Sequence, residues 1–257
     1  MSIEKTKDTL IPIIEEYISI IKKEFPNLVS IPKYQDLNDL VYITNTNTVS
    51  LFIRNNNFYF PLDAFYVLEK YKSIPEFGSN PNYQLSSAII NNNTFEDYIK
   101  SVILRGLTPL EYFKDSLLHE TFHFCGSGGA SSIREGINEL ETRLLAKKYN
   151  LRTTYCGYPK ETKIAKELLD MFGREVIDKL AFHHYKGIPD EILNFIASLE
   201  DVMEKEFQEK NYKYNYPGIN GPIEKARRYA DIDYSRAYEL LDKYKQNSYL
   251  EKKRHLW

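Results

Sequence analysis

The chain of 257 residues is 42% hydrophobic, which is enough apolar material for a sizeable buried core. Its 34 basic and 36 acidic residues nearly cancel, so no nucleic-acid-binding face or strongly charged partner is indicated. The N-terminal residues mix Glu and Lys with apolar residues and lack the continuous apolar core of a signal peptide or a membrane span. We therefore expect a cytoplasmic protein without a membrane partner, in which Cys125 and Cys156 need not pair.

The N-terminal part of the chain predicts one helix followed by a small sheet. Apolar residues recur at helical spacing from Ile3 to Phe25, and Pro26 follows. Short β-branched and aromatic runs, separated by Asn-rich turns, cover Leu40 to Thr44, Val49 to Arg54 and Phe58 to Phe60. We expect these three runs to form an antiparallel meander.

The rest of the chain predicts helices almost throughout. Thr108, Pro109 and Glu111 combine an N-cap, a proline at the first helical position and a capping glutamate, and Gly126 ends the helix that they begin. A second helix is predicted from Ser131 or Ser132 to about Tyr149. Further helical runs are Ala64 to Tyr71, Phe95 to Leu104, Thr162 to Phe172, Glu175 to Tyr185, Asp190 to Phe207 and Ile223 to Lys245.

The first of these long helices carries a His-Glu-x-x-His motif at positions 119 to 123. Residues four apart lie on one face of a helix, so His119 and His123 can bind one Zn²⁺ from the same side. Glu120 is displaced by about 100° around the helix, which suits a general base acting on water better than a metal ligand. The motif predicts a zinc hydrolase with His119 and His123 as metal ligands and Glu120 as the catalytic base.

A catalytic zinc site needs a third protein ligand and one open position. The third histidine of metzincins would stand at position 129, which is Gly129 here. The following helix offers carboxylates at Glu135 and Glu139 instead. Glu135 also stands three residues after Ser132, the spacing of a capping box in which it would only accept from a backbone N–H. Spacing alone does not decide whether Glu135 or Glu139 is the third ligand, or whether Glu135 only caps the helix.

The segment from Arg134 to Glu139, taken with the His-Glu-x-x-His helix, resembles the gluzincin metallopeptidases, which are the thermolysin-like and aminopeptidase-like zincins. The resemblance covers residues 109 to 150 and, more loosely, the helices to about 190. It implies that Glu135 is the third ligand of one Zn²⁺ per chain and that Glu139 orients a histidine. The chain departs from these families in having Arg134 where Asn is frequent, and in placing only eleven residues between His123 and Glu135.

Gluzincins also use a Tyr or His that donates to the oxygen of the reacting carbonyl, which becomes negative during hydrolysis. The resemblance implies that one residue after the second helix has this role. The candidates are Tyr155, Tyr158, His183 and His184.

The resemblance implies an α+β, mainly helical, zincin-like metallopeptidase fold with a small N-terminal antiparallel sheet and a helical C-terminal half. Residues 1–95 would be the N-terminal helix and sheet of the same unit, 96–210 the zincin catalytic core, and 211–257 a helical C-terminal extension. A peptide or protein substrate would lie beside the strands between Val41 and Phe60. The alternatives are a metal-dependent amidase and a zincin-derived binding or regulatory protein without turnover, because the motif specifies water activation only.

Overall fold

The computed structural model describes residues 3–31, 33, 36–44, 52–54, 57–61, 109–126, 131–151, 158–213 and 232–254. These residues form seven α-helices and one three-stranded sheet, so the fold is mainly helical, as predicted. Within these ranges, no helix is both long and apolar enough to cross a bilayer. The predicted helices Ala64 to Tyr71 and Phe95 to Leu104, together with Tyr155 and Cys156, lie outside the described residues.

The N-terminal layer consists of one helix and the sheet. Helix α1 (Ile3–Glu24) agrees with the predicted helix to within one residue. The strands are β1 (Val41–Thr44), β2 (Phe52–Arg54) and β3 (Asn57–Pro61), in the order β1-β3-β2. Because β3 pairs in parallel with β1 and antiparallel with β2, the predicted antiparallel meander is wrong.

The position of β3 explains this difference. A meander would pair β1 with β2, whereas here Val41 of β1 lies opposite Phe58 of β3 and both side chains are fully buried. Burial of this pair favours β3 in the centre of the sheet. Apolar runs of three to five residues indicate that strands form, but they carry little information about which strand is the neighbour.

Six helices form the remainder of the described fold. They are α2 (Pro109–Cys125), α3 (Ser132–Lys148), α4 (Pro159–Phe172), α5 (Arg174–Ala181), α6 (Asp190–Lys213) and α7 (Ser235–Arg254). The predicted boundaries of α2 and α3 are confirmed. Helix α3 packs against α2, α4, α5 and α6, and most of its residues are buried, including several carboxylates.

Two predicted helices end or begin elsewhere, in each case within two residues of a residue with left-handed backbone geometry. The helix predicted to reach Tyr185 ends at Ala181, and His183 has a φ of 56°. Of the helix predicted from Ile223 to Lys245, the described part begins at Ser235, because residues 232–234 are not helical and Tyr234 has a φ of 54°. The apolar spacing continues through both boundaries, so periodicity could not reveal them.

Aromatic contacts fix α2 between the other layers. The ring of Phe124 lies 4.9 Å from that of Phe58 in β3, and Phe122 lies 6.0 Å from Phe25 and 5.9 Å from Phe182. Phe122 and Phe124 flank His123 in sequence. These contacts hold α2 so that the side chains of its two histidines reach α3.

Candidate metal centre

Three side chains from α2 and α3 converge on one buried point. His119 Nε2 lies 3.2 Å from His123 Nε2, and Glu135 Oε2 lies 3.1 Å from the first and 3.2 Å from the second of these nitrogens. All three side chains are less than a tenth exposed. The structure thus brings together the three residues that the sequence predicted as metal ligands.

This arrangement fits a tetrahedral metal ion. A tetrahedral zinc ion with bonds of about 2.1 Å separates its protein ligand atoms by roughly 3.4 Å, a few tenths of an ångström more than the contacts found here. The three pairwise contacts cannot all be hydrogen bonds, because two nitrogens that both donate to the carboxylate oxygen cannot also bond to each other, whereas one cation can bind all three atoms. The group of His119, His123 and Glu135 could therefore hold a metal ion.

Each histidine has a further partner on α3. Glu139 Oε2 lies 3.0 Å from His119 Nδ1, and Asn138 Nδ2 lies 2.9 Å from His123 Nδ1. A histidine that binds a metal through Nε2 carries its proton on Nδ1. The metal-bound state therefore requires the Asn138 amide in the opposite orientation, with Oδ1 accepting from His123, since amide orientation follows the hydrogen-bond network.

The electrostatics of the centre favour a cation. Burial opposes ionisation of Glu135, but His123 and His119 outweigh it and hold the pKa of this carboxyl well below its usual range. The pKa of Glu139 is also lowered, because His119 and Arg143 outweigh the effect of burial. Burial likewise opposes the charge of His119, yet Glu135 and Glu139 raise its pKa well above the usual value. Two ionised carboxylates thus lie beside the histidines and favour positive charge.

Glu135 does not cap its own helix. Helix α3 has Ser131 as its N-cap residue, and the backbone N–H of Ser132 donates to Glu204 Oε1 of α6 over 2.7 Å. The hydroxyl of Ser132 donates to the same oxygen. The capping-box interpretation is therefore wrong, and the capping carboxylate comes from another helix.

Gly136 allows α3 and α4 to approach each other beside the centre. A Cβ atom at this position would lie 2.3 Å from the carbonyl oxygen of Glu161, which is far inside contact distance. The side chain of Glu161 is fully buried and accepts a hydrogen bond of 2.7 Å from the hydroxyl of Tyr234. The glycine after Glu135 is thus required by packing.

The other predicted residues lie around the centre at different depths. Glu120 is half-buried on α2 and is not one of the three converging groups. The ring of Tyr158 stacks on His119, with centroids 5.5 Å apart and an interplanar angle of 24°. His183 is half-buried in the turn after α5, and His184 is exposed.

Sequence reasoning missed the partners Asn138 and Glu204, and it treated Arg134 only as a departure from a pattern. Asn138 stands three residues after Glu135, so helical spacing could have placed both on one face. Glu204 and the contacts of Arg134 have no local signal. No family model, characterised protein or solved structure matches the chain.

Proposed function

We propose that the chain is a zinc-dependent hydrolase, namely a metallopeptidase of the gluzincin type with a zincin-like fold. The observation that carries this proposal is the convergence of His119, His123 and Glu135 on one buried point. Glu120 stands between the two histidines on the same helix, as a water-activating base requires. Two imidazoles and one carboxylate are the ligands of several catalytic zinc sites that keep one position open for water.

Each residue then has a distinct task. Zinc held by these ligands would polarise the scissile carbonyl and lower the pKa of a water molecule. Glu120 takes a proton from the attacking water and passes it to the leaving amine. Glu139 and Asn138 hold the rings of His119 and His123 in position, which keeps both Nε2 atoms directed at the same point.

The sheet supports a peptide or protein as the substrate. In the described strand order, β1 lies at an edge, where an extended peptide could add as a further strand. The side chain of Tyr42 on this strand is 45% exposed, so it could contact a peptide bound at that edge. Strand addition needs only a free edge, so the proposed substrate does not depend on whether the sheet is antiparallel or mixed. A cytoplasmic location is part of the same proposal.

The decisive experiment combines metal analysis with turnover. Purified protein should contain about one zinc per chain and should cleave members of a varied peptide library. The variant E120Q should retain the zinc and lose cleavage by at least about 100-fold. Cleavage of small amides but not of peptides would favour the metal-dependent amidase. Stoichiometric zinc with no turnover of any substrate would favour the binding protein, and absence of zinc would overturn the proposal.

A further inference from the structure

Tyr158 covers one face of the imidazole of His119. The two ring centroids lie 5.5 Å apart and the ring planes differ by 24°, which is an offset stack within the usual separation of about 4.5 to 7 Å. The ring of His123 meets that of His119 at 67°, so the two ligand rings do not stack on each other. His119 is only 5% exposed, and the half-buried ring of Tyr158 contributes to this burial.

The start of α4 fixes the backbone of Tyr158. Tyr158 is the N-cap residue of this helix, and Pro159 occupies the first helical position after it. The carbonyl oxygen of Tyr158 accepts from the backbone N–H of Thr162 over 2.8 Å and from the hydroxyl of Thr162 over 2.6 Å. Because the backbone is held by these bonds, the ring of Tyr158 can move only through its own side-chain torsions.

The contact between Glu161 and Gly136 sets the distance of α4 from the metal centre. Gly136 follows the ligand Glu135, and a Cβ atom there would lie 2.3 Å from the carbonyl oxygen of Glu161. Tyr158 stands about one helical turn before Glu161. The close approach of α3 and α4 therefore brings the ring of Tyr158 to the metal centre.

The contacts at the two nitrogens of His119 do not by themselves fix the tilt of its ring. Nε2 lies 3.1 Å from Glu135 Oε2, and Nδ1 lies 3.0 Å from Glu139 Oε2. Contacts at both nitrogens fix the line that joins these atoms, but the ring can still rock about that line. A flat ring against its face opposes rocking, because the tilt would break the van der Waals contact between the two rings.

We propose that Tyr158 is a positioning residue that holds His119 in its metal-binding orientation through the face of its ring, and that this role does not require its hydroxyl. The inference rests on the zinc site of the proposed function and not on its substrate. A ligand that is already oriented loses less rotational freedom when it binds zinc. The stack should therefore raise the zinc affinity and hold the ligand atoms in one geometry.

Zinc affinity tests this role without any turnover. Y158L keeps an apolar side chain but no flat ring, and in competition with a chelator it should bind zinc about 3- to 10-fold more weakly than wild type. Y158F keeps the ring and should stay within about twofold of wild type. Tyr149, another half-buried tyrosine, caps the far end of α3 and provides the matched control, since Y149L should not change the affinity. Wild-type affinity in Y158L, or an equal loss in Y149L, would overturn the inference.

Cobalt(II) in place of zinc reports the geometry of the ligands. The visible absorption of bound Co²⁺ depends on the number and arrangement of its ligand atoms. Y158F should reproduce the wild-type spectrum, whereas Y158L should shift or broaden it. If Tyr158 only contributed packing, Y158L would lower the melting temperature and leave the cobalt spectrum unchanged, and that result would overturn the inference. Y158A replaces Y158L if the latter does not fold.

Kinetics of zinc-saturated protein separate the ring of Tyr158 from its hydroxyl. Y158L should lower kcat about 3- to 10-fold with little change in KM, and Y158F should recover most of this loss. A hydroxyl that donated to the reacting carbonyl would instead cost about 100-fold in kcat in Y158F, and this outcome would overturn the assignment to the ring.

The two proposals fail in different ways. Zinc binding without turnover in the wild-type protein would overturn the hydrolase function, while the zinc affinities and cobalt spectra would still decide the role of Tyr158. Turnover in the wild-type protein, together with wild-type zinc affinity in Y158L, would leave the hydrolase function standing and overturn only the present inference.

Discussion

Helix α3 carries two buried groups of charged side chains, and they differ in the source of the positive charge. The first is the metal centre, in which Glu135 faces His119 and His123. The second lies on the side of α3 that faces α5, where Arg174 donates to the fully buried Glu141. Among the described contacts, no lysine or arginine reaches the converging atoms of the first group, whereas the second group includes its own arginine.

The comparison shows why one group is a candidate site and the other is a structural contact. Glu141 has one oxygen paired with Arg174, and burial raises its pKa to about 8 despite this arginine. It can therefore remain a neutral acid inside the protein at neutral pH. Glu135 is held ionised by the histidines, and their nitrogens can exchange their protons for a metal ion while the carboxylate keeps its charge. A buried carboxylate alone is thus not evidence for a metal ion; its convergence with two imidazole nitrogens is.

The largest expected difference between the two groups is in zinc binding. E135Q should lower zinc affinity by at least about 100-fold, because it removes one of three ligands, whereas E141Q should leave it unchanged. Both substitutions are isosteric and lie on the same helix, so each is the control for the other. Competition with a chelator of known affinity measures the effect. Equal zinc affinities in the two variants would remove the distinction between the groups.

The next effect concerns the choice between Glu135 and Glu139 as the third ligand. Because Glu139 contacts His119 Nδ1 and not the point of convergence, E139Q should weaken zinc binding by about 10- to 100-fold and should not abolish it. The same chelator competition measures the zinc affinity of E139Q. A greater loss in E139Q than in E135Q would exchange the roles of the two glutamates.

The parts of the site that the sequence predicted depend on local signals. A proline at the first helical position and Gly126 mark the ends of α2, and the spacing of His119 and His123 places them on one face. The central position of β3 and the start of α7 after Tyr234 depend instead on contacts between residues far apart in the chain. Apolar periodicity does not encode these contacts.

The surroundings of Glu135 show the same limit. Its helix is capped by Glu204, which follows Ser132 by 72 residues, so a capping box within the helix was a reasonable but incorrect interpretation. Arg134 and His183 are 49 residues apart, and no pattern links them. Sequence therefore predicted which side chains could bind a metal, while the residues that orient them became evident only in three dimensions.

A further prediction separates the two groups by pH. The folded pKa of Glu141, about 8, lies above its usual value of 4.5, so the stability that the neutral acid contributes is fully present below about pH 4.5. It is lost as the pH rises towards 8. E141Q does not titrate, so its unfolding free energy relative to wild type should rise by about 4 kcal/mol between pH 5 and pH 8.5. Denaturant unfolding of both proteins, after treatment with a chelator, at pH 5 and pH 8.5 measures the difference in unfolding free energy.

The exposed carboxylate of Glu175 on α5 provides the control for this experiment. Its pKa is lowered by Lys179, and E175Q should show no comparable gain relative to wild type as the pH rises. A constant difference between E141Q and wild type at both pH values would contradict the assignment of Glu141 as a neutral buried acid.

The smallest effect is expected at Glu204, which is a third carboxylate in contact with α3. It accepts from the backbone and hydroxyl of Ser132, so its partners in the described part of the chain are neutral donors. E204A should cost about 1 kcal/mol in unfolding free energy through loss of the cap, while zinc affinity stays within about twofold of wild type. This result would show that the first turn of α3 can be weakened without loss of the metal, so the loss in E135Q would be due to the missing ligand. A zinc affinity that fell in E204A as far as in E135Q would instead mean that folding of this turn controls the site.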